Sequence, residues 1–318
     1  MKFTHLGFIM TNKCNAACKI CCFSCSPRGN LTLDGGAIKE YLKQAADMGT
    51  FKTVGFSGGE AILHFDQLKE CTARARDFGF RVTLVTNGFW GRDYAKGLSM
   101  MTELVEAGLK SVSFSVDKFH QEFVPVETLI NAMNICESLE IFSSATLMDV
   151  KSMSSAPEAF RALRSHLYDK DLVLYPVFPA GSGAGAISDD EIIRECEATS
   201  AVCPFEPGVT VFFDGSVRMC CSQFSNGISM TDLGAIGKTS LSDAIAAFHD
   251  NNFLYVLLKR QFAWFVERAK EFGVSLAEKY SVPCELCHEL FTNEAFVRKV
   301  EPLVEREAFE LRMEKLFT

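Results

Sequence analysis

The run Cys-Asn-Ala-Ala-Cys-Lys-Ile-Cys at residues 14–21 puts three thiols, Cys14, Cys18 and Cys21, on one short segment directly after the first hydrophobic stretch. Intervals of three and two residues let one loop fold its sulfurs onto three corners of a cube. Thiolates are soft ligands that select iron–sulfur clusters or zinc over hard cations. A 4Fe-4S cluster that only stores electrons takes four ligands, so a three-thiol clip leaves one iron open to bind something else. A structural zinc site wants a fourth nearby ligand. Cys22 and Cys25 could supply one, and on these residues alone a zinc knuckle stays open.

Gly58-Gly59-Glu60 follows the second apolar run, Thr53 to Phe56. Two glycines there allow the backbone to approach a ligand closely, and Glu60 offers a charge for an ammonium group. With the three-cysteine clip ahead of it, this segment makes the chain resemble the radical S-adenosylmethionine (radical SAM) superfamily, whose Cys-x3-Cys-x2-Cys motif matches at Cys14, Cys18 and Cys21. The resemblance implies that the open iron chelates the amino and carboxylate groups of SAM and that Gly58, Gly59 and Glu60 hold the amino group. One departure is Ile20, where the family usually has an aromatic residue, so packing against the adenine is expected to be looser or differently supplied.

A chain of 318 residues, 48% of them hydrophobic, suffices for one large domain or two smaller ones. No window reaches the about 18 uninterrupted apolar residues of a membrane span, and the opening Met-Lys-Phe-Thr-His lacks the apolar core of a signal peptide. A net charge of −8 without a Lys/Arg stripe argues against nucleic-acid binding. Thirteen cysteines in a large signal-free chain read as reduced metal ligands, giving a cytoplasmic expectation with no membrane partner.

Strand-like runs fall at 5–10, 52–56, 81–86, 111–116, 142–147 and 172–178, with amphipathic helical runs between them, for example 37–48 and 129–139. Six strand–helix units in alternation predict a parallel α/β sheet with right-handed crossovers. Six are too few for a closed eight-strand barrel, so a partial (β/α)6 TIM-like barrel over residues 1–186 is expected, the fold the resemblance also implies.

Ligands of parallel α/β folds gather at the carboxyl ends of strands. Asn87, Ser115 and Asp117 fall at such ends and look like the family's positions contacting the SAM ribose and carboxylate; a plain turn at Asn87-Gly88 and a helix cap at Asp117 are the alternatives. Residues 179–185 are too Gly-rich for a helix, lack the context of a dinucleotide loop, and read as the adenine-side loop and barrel exit. His120 and Glu122 are acid–base candidates, against a histidine that merely starts a helix.

Beyond Ile187 the alternation ends. Cys203, Cys220 on a probable hairpin turning at Asp214-Gly215, and the pair Cys284 and Cys287 supply four thiols that can enclose a cluster. This set resembles the twitch, a short form of the SPASM domain with one auxiliary 4Fe-4S cluster, expected here over residues 187–318; a zinc ribbon is the alternative. Cys71, Cys136 and Cys196 read as small buried hydrophobes on helical runs. Cys221 must point opposite to Cys220 if both lie on a strand. It is the candidate hydrogen-atom donor, with a packing thiol or an exchanged ligand as alternatives.

The resemblance implies reductive cleavage of SAM to a 5′-deoxyadenosyl radical, with electrons from a flavodoxin- or ferredoxin-type donor. Twitch and SPASM enzymes abound in the modification of ribosomally made peptides, so a precursor peptide is the expected substrate. Size, a single auxiliary cluster and the Cys-Cys-Phe-Ser-Cys stretch at residues 21–25 resemble the radical SAM peptide epimerases of epipeptide pathways. Epimerization with Cys221 as donor is therefore expected, against crosslinking or dehydrogenation through the auxiliary cluster, or a non-catalytic metal-binding protein. Only thirteen residues precede Cys14, which leaves no room for an amino-terminal leader-binding module and assigns recognition to the barrel mouth or a separate protein.

Overall fold

Alternation of buried and less buried residues along the runs at 53–57 and 81–86, such as Val54 and Phe56 inward of Thr53, Gly55 and Ser57, marks segments that pack helices on one face and line a cavity on the other. The computed structural model describes residues 1–154, 156–163 and 172–314. In order come β1 (His5–Ile9), α1 (Gly35–Met48), β2 (Thr53–Ser57), α2 (Phe65–Asp77), β3 (Arg81–Thr86), α3 (Tyr94–Ala107), β4 (Leu109–Ser115), the one-turn α4 (Lys118–Gln121), α5 (Val126–Ser138), β5 (Phe142–Asp149), α6 (Ala156–Leu163) and β6 (Leu172–Pro176). These strands pair in parallel in sequence order, which is the expected partial barrel.

Local chemistry sets the helix ends. The Asp34 carboxylate accepts from Ala37 N–H at 2.9 Å to start α1, and Gly49, at φ 68°, ends it in the left-handed conformation that suits glycine. Between those caps Ile38, Tyr41, Leu42 and Ala45 form one buried stripe against the sheet. Phe8 and Phe56 stack at 5.7 Å across β1 and β2.

After β6 come the kinked turn α7 (Gly183–Ala186), β7 (Cys196–Glu197), β8 (Gly208–Val211), β9 (Ser216–Arg218), β10 (Asp232–Ala235), α8 (Leu241–Asp250), α9 (Asn252–Glu271), β11 (Lys279–Tyr280), α10 (Pro283–Thr292) and α11 (Glu294–Glu314). The expected hairpin is present as β8 and β9. Its position was not legible: β8 lies parallel to β1, with His5 opposite Gly208, and the sheet runs β10-β9-β8-β1-β2-β3-β4-β5-β6. A partial barrel leaves β1 with a row of unpaired backbone groups, and covering that edge removes a liability. The expected carboxyl-terminal region 187–318 ends in four residues, 315–318, that lie outside the described ones. Cys71 and Cys136 are buried on α2 and α5 as expected, whereas Cys196 sits on the short strand β7, paired with Tyr280, rather than on a helix. Among the described residues no helix is long and apolar enough to cross a membrane.

The two ends of the chain are also joined through side chains. Tyr41 Oη of α1 donates to the Thr239 carbonyl at 2.5 Å, and Gln44 Oε1 accepts from Leu241 N–H at 2.7 Å. Tyr41→Phe should lower stability by about 1 kcal/mol, roughly 2–4 °C in thermal midpoint; a midpoint equal to wild type would show that this link does not hold α8 to the barrel.

Candidate functional site

The cysteine loop leaves the carboxyl end of β1 and is laced to the end of β2 by backbone bonds. Met10 N–H donates to Ser57 O at 2.8 Å, Gly59 N–H to Thr11 O at 2.7 Å, and Glu60 N–H to Lys13 O at 2.9 Å. A Cβ on Gly59 would stand 2.3 Å from the Lys13 carbonyl oxygen, and one on Gly58, whose φ is 151°, 2.7 Å from that of Thr11. The close approach that requires these glycines is therefore made by the cysteine loop itself. The loop then turns through Cys21 N–H to Cys18 O at 3.0 Å and Ser24 N–H to Cys21 O at 3.1 Å, and returns beside its start with Cys14 N–H on Ser26 O at 3.0 Å.

Cys14, Cys18, Ile20 and Cys25 are buried in an apolar cluster of their own with Phe119, Val150, Val177 and Ile192, apart from the main core. Ile20, which stands where an aromatic was expected, packs into this cluster. Burial pushes the Cys14 thiol up to about 11 and that of Cys18 to about 12. Cys21 goes the other way, because the Cys25 side chain hydrogen-bonds its sulfur. Ala16 N–H reaches Cys14 Sγ at 3.4 Å, and Cys25 N–H reaches Cys21 Sγ at 3.3 Å. Cys18 feels both Cys14 and Cys21 electrostatically, so the three thiols face a common space. Dry surroundings, N–H groups aimed at sulfur and three thiols of one loop fit a 4Fe-4S cluster with one open iron. Loading such a cluster must drive protons off thiols held high by burial. Among the described residues no three Cys, His, Asp or Glu side chains converge on a point suited to one ion; cluster thiolates each take a separate iron.

Glu60 is fully buried, and its carboxylate ties β2 to β3. Oε1 accepts from Ile62 N–H at 3.2 Å, while Oε2 accepts from Thr86 Oγ1 at 2.9 Å and Asn87 N–H at 2.9 Å. Burial outweighs these donors and raises its carboxyl to about 7. A carboxylate offers about four acceptor sites, so one remains. Asn87 Nδ2 donates to Asn15 Oδ1 at 2.8 Å and approaches Cys14 Sγ at 3.8 Å, which brings Glu60, Asn87 and Cys14 into one network. Nothing in the spacing of the sequence pointed to Asn15, whereas Thr86 closes the strand run 81–86 at an end where ligands were expected to gather.

Ser115 is half-buried at the end of β4. Asp117 caps α4, accepting from Phe119 N–H and His120 N–H at 3.0 Å each, and its other oxygen lies 2.8 Å from His120 Nδ1. Burial is the largest influence on the imidazole and lowers its pKa, but the hydrogen bond and charge of Asp117 together with Cys21 outweigh it and the net shift is upward. The Gly-rich loop after β6 sits on the cysteine loop. Ser182 N–H donates to Cys21 O at 2.9 Å, and a Cβ on Gly181, at φ 57°, would stand 2.2 Å from Cys22 O.

The carboxyl-half thiols lie within electrostatic reach of Cys287. Cys287 is pushed up by burial and by Cys203, Cys220 and Cys284 together. Cys284 and Cys287 lie in the first turns of α10, not on a free turn. Gln261 kinks α9 at φ 60°, and its Oε1 accepts from Cys203 N–H at 2.8 Å, a placement no sequence pattern announced. Cys221 is exposed, yet surrounding protein pushes its thiol up. Cys22, Cys220 and Cys284 all feel it electrostatically. Between the two thiol groups Phe23 packs edge-on to Phe212 at 6.1 Å, and the Arg218 guanidinium covers the Phe212 ring at 4.4 Å.

The description "Radical SAM superfamily" matches residues 8–153. The chain is 23% identical over 307 residues to YydG of Bacillus subtilis strain 168, a protein named for peptide biosynthesis, covering 93% of this chain and 95% of that one. A stretch of 79 residues is 35% identical to the S-adenosylmethionine-dependent nucleotide dehydratase of Selenomonas ruminantium, 25% of this chain and 28% of that one. The solved structure of native anSMEcpe with bound AdoMet and Kp18Cys peptide shares the fold at a TM-score of 0.57 and 13% identity, covering 96% of this chain and 99% of that one.

Gly59→Ala and Gly181→Ala each force the backbone of the cysteine loop away. Each should lower the iron bound after anaerobic reconstitution while leaving the far-ultraviolet circular dichroism intact. Full iron content in both would show that the loop does not need these contacts.

Proposed function

We propose that this chain, whose residues 8–153 match the radical SAM superfamily, epimerizes an L-residue of a ribosomally made peptide to its D-form, with Cys221 as the hydrogen donor. The supporting observation is the position of Cys221: exposed, next to Cys220, and within electrostatic reach of Cys22 on the amino-terminal cysteine loop. The similarity to a protein named for peptide biosynthesis supports the choice of a peptide. In this reading residues 1–186 form the catalytic barrel, and residues 187–318 carry Cys203, Cys220, Cys284 and Cys287 for an auxiliary 4Fe-4S cluster.

Cys14, Cys18 and Cys21 would hold a 4Fe-4S cluster, which with SAM and one electron would supply a 5′-deoxyadenosyl radical able to take the substrate Cα hydrogen. Gly58, Gly59 and Glu60 would hold the SAM ammonium, and Asn87, Ser115 and Asp117 its ribose and carboxylate. The apolar cluster around Ile20 and Phe119 keeps water from the radical. Cys221 would then give its S–H hydrogen to the opposite face of Cα, and the thiyl radical left behind would take one electron from a flavodoxin- or ferredoxin-type donor and one proton from solvent. A second reading uses the carboxyl-half thiols: an auxiliary cluster there would accept an electron from the substrate radical and give a crosslink or a dehydro residue.

In deuterated water, wild type should place one deuterium at the altered residue of the peptide encoded beside its gene. Cys221→Ala should still cleave SAM but form no D-residue and lose the label. A product two hydrogens lighter from wild type and variant alike would replace epimerization with the oxidative reading.

The raised carboxyl of Glu60 makes SAM binding pH-dependent. An ammonium partner needs the carboxylate, so lowering pH through about 7 removes the binding form, and affinity should fall toward tenfold per pH unit below it. Calorimetry between pH 5.5 and 7.5 checks this, and a flat profile would remove Glu60 from the ammonium site.

A further inference from the structure

Charge is unevenly spread along this chain. The first 33 residues hold four of the 32 Lys and Arg and none of the 40 Asp and Glu, although the whole chain stands at −8. Three of those cations, Lys13, Lys19 and Arg28, are exposed on the cysteine loop. Among the described residues no carboxylate pairs with them, whereas Lys39 and Lys69 on α1 and α2 pair with Glu70 and Glu103. Ser26 O accepts from both Cys14 N–H and Gly29 N–H at 3.0 Å, so the turn that carries Arg28 lies against the segment that carries Lys13. Asn12 joins the same group, its Oδ1 accepting from Leu31 N–H at 2.9 Å. Thr32 Oγ1 lies 3.3 Å from His64 Nε2, which sets the turn bearing Leu63 beside the segment bearing Leu31. Leu31 is 43% exposed and Leu63 36%. Nearby acids are engaged elsewhere: Asp34 caps α1, and Asp66 stands in the first turn of α2, where the helix N-terminus offsets its charge.

Two exposed leucines beside cations that lack carboxylate partners make a small face, and Lys13 is bonded directly to Cys14. Transient electron-transfer encounters use small interfaces, and complementary charge sets how fast they form. Resting on the reading that Cys14, Cys18 and Cys21 ligate the first cluster, we propose that the face made by Lys13, Arg28, Leu31 and Leu63 docks the acidic flavodoxin- or ferredoxin-type protein that reduces that cluster. Its local positive charge steers an acidic carrier, which the rest of this acidic chain repels, to the segment that carries the cluster thiols. One electron then leaves the carrier, a flavodoxin hydroquinone becoming its semiquinone, and enters the cluster.

The test mixes reconstituted full-length protein with an acidic flavodoxin in its hydroquinone state and follows flavin oxidation by stopped-flow absorbance. The wild-type second-order rate should fall as salt rises from about 0.01 to about 0.15 M, over which the screening length shrinks from about 30 to about 8 Å. The Lys13→Gln/Arg28→Glu variant should be about tenfold slower at low salt, the low end of electrostatic steering, with a flatter salt profile. Its iron content and its dithionite-driven SAM cleavage should equal wild type. The Lys13→Arg/Arg28→Lys variant, which keeps the charge, should retain the wild-type rate; an equal loss there would assign the effect to loop structure and overturn the proposal. An unchanged flavin oxidation rate in Lys13→Gln/Arg28→Glu also overturns it, and weakened binding of the precursor peptide in that case would give the face to the peptide instead. If dithionite drives no SAM cleavage in wild type, the underlying reading of the cluster falls, and the proposal with it.

Discussion

The contact on which the site depends is the seam between the ends of β1 and β2. Three backbone hydrogen bonds, from Met10, Gly59 and Glu60, fix the direction in which the chain leaves β1, and residues 14–21 inherit that direction. The seam closes only because residue 59 has no Cβ, since the Lys13 carbonyl occupies the space one would fill. Glu60 extends the seam to a third strand: its carboxylate receives the donors of Thr86 and Asn87, and Asn87 in turn reaches Asn15 inside the cysteine loop. Burying a carboxylate costs several kcal/mol unless its acceptors are filled. The raised carboxyl of Glu60 records how much of that cost three donors leave uncompensated, and a cationic ligand would offset the remainder.

Much of the barrel was legible because its strands are short apolar runs bounded by polar turns, and its helices bury one stripe. The observed β3, Arg81–Thr86, coincides with the run read from sequence. The pairing of β8 with β1 was not legible. It joins segments some two hundred residues apart through backbone groups, which no side-chain pattern encodes. Roles at the site were half legible for a similar reason. Gly58 and Gly59 were recognisable as positions of close approach, but the approaching group is their own neighbouring loop. Asp117 carries both a cap and a histidine, and a sequence cannot say which partner a carboxylate takes. Gln261 left no trace because its function arises from a backbone conformation that glutamine rarely adopts.

The loop from Cys21 to Cys25 is where separate parts of the chain meet. The Gly-rich segment after β6 presses on its carbonyls at Cys21 and Cys22, which brings the last strand of the open barrel against the loop of the first. Phe23 leans on Phe212 of the carboxyl-terminal hairpin, whose position beside β1 is fixed by sheet pairing. His120, held by the buried Asp117, acts on Cys21 from the α4 side. A loop braced from three directions loses little further conformational freedom when it takes a ligand, so its thiols are preorganised rather than gathered by the metal. The same bracing links the hairpin to the residues next to Cys21 through the contact of Phe212 with Phe23.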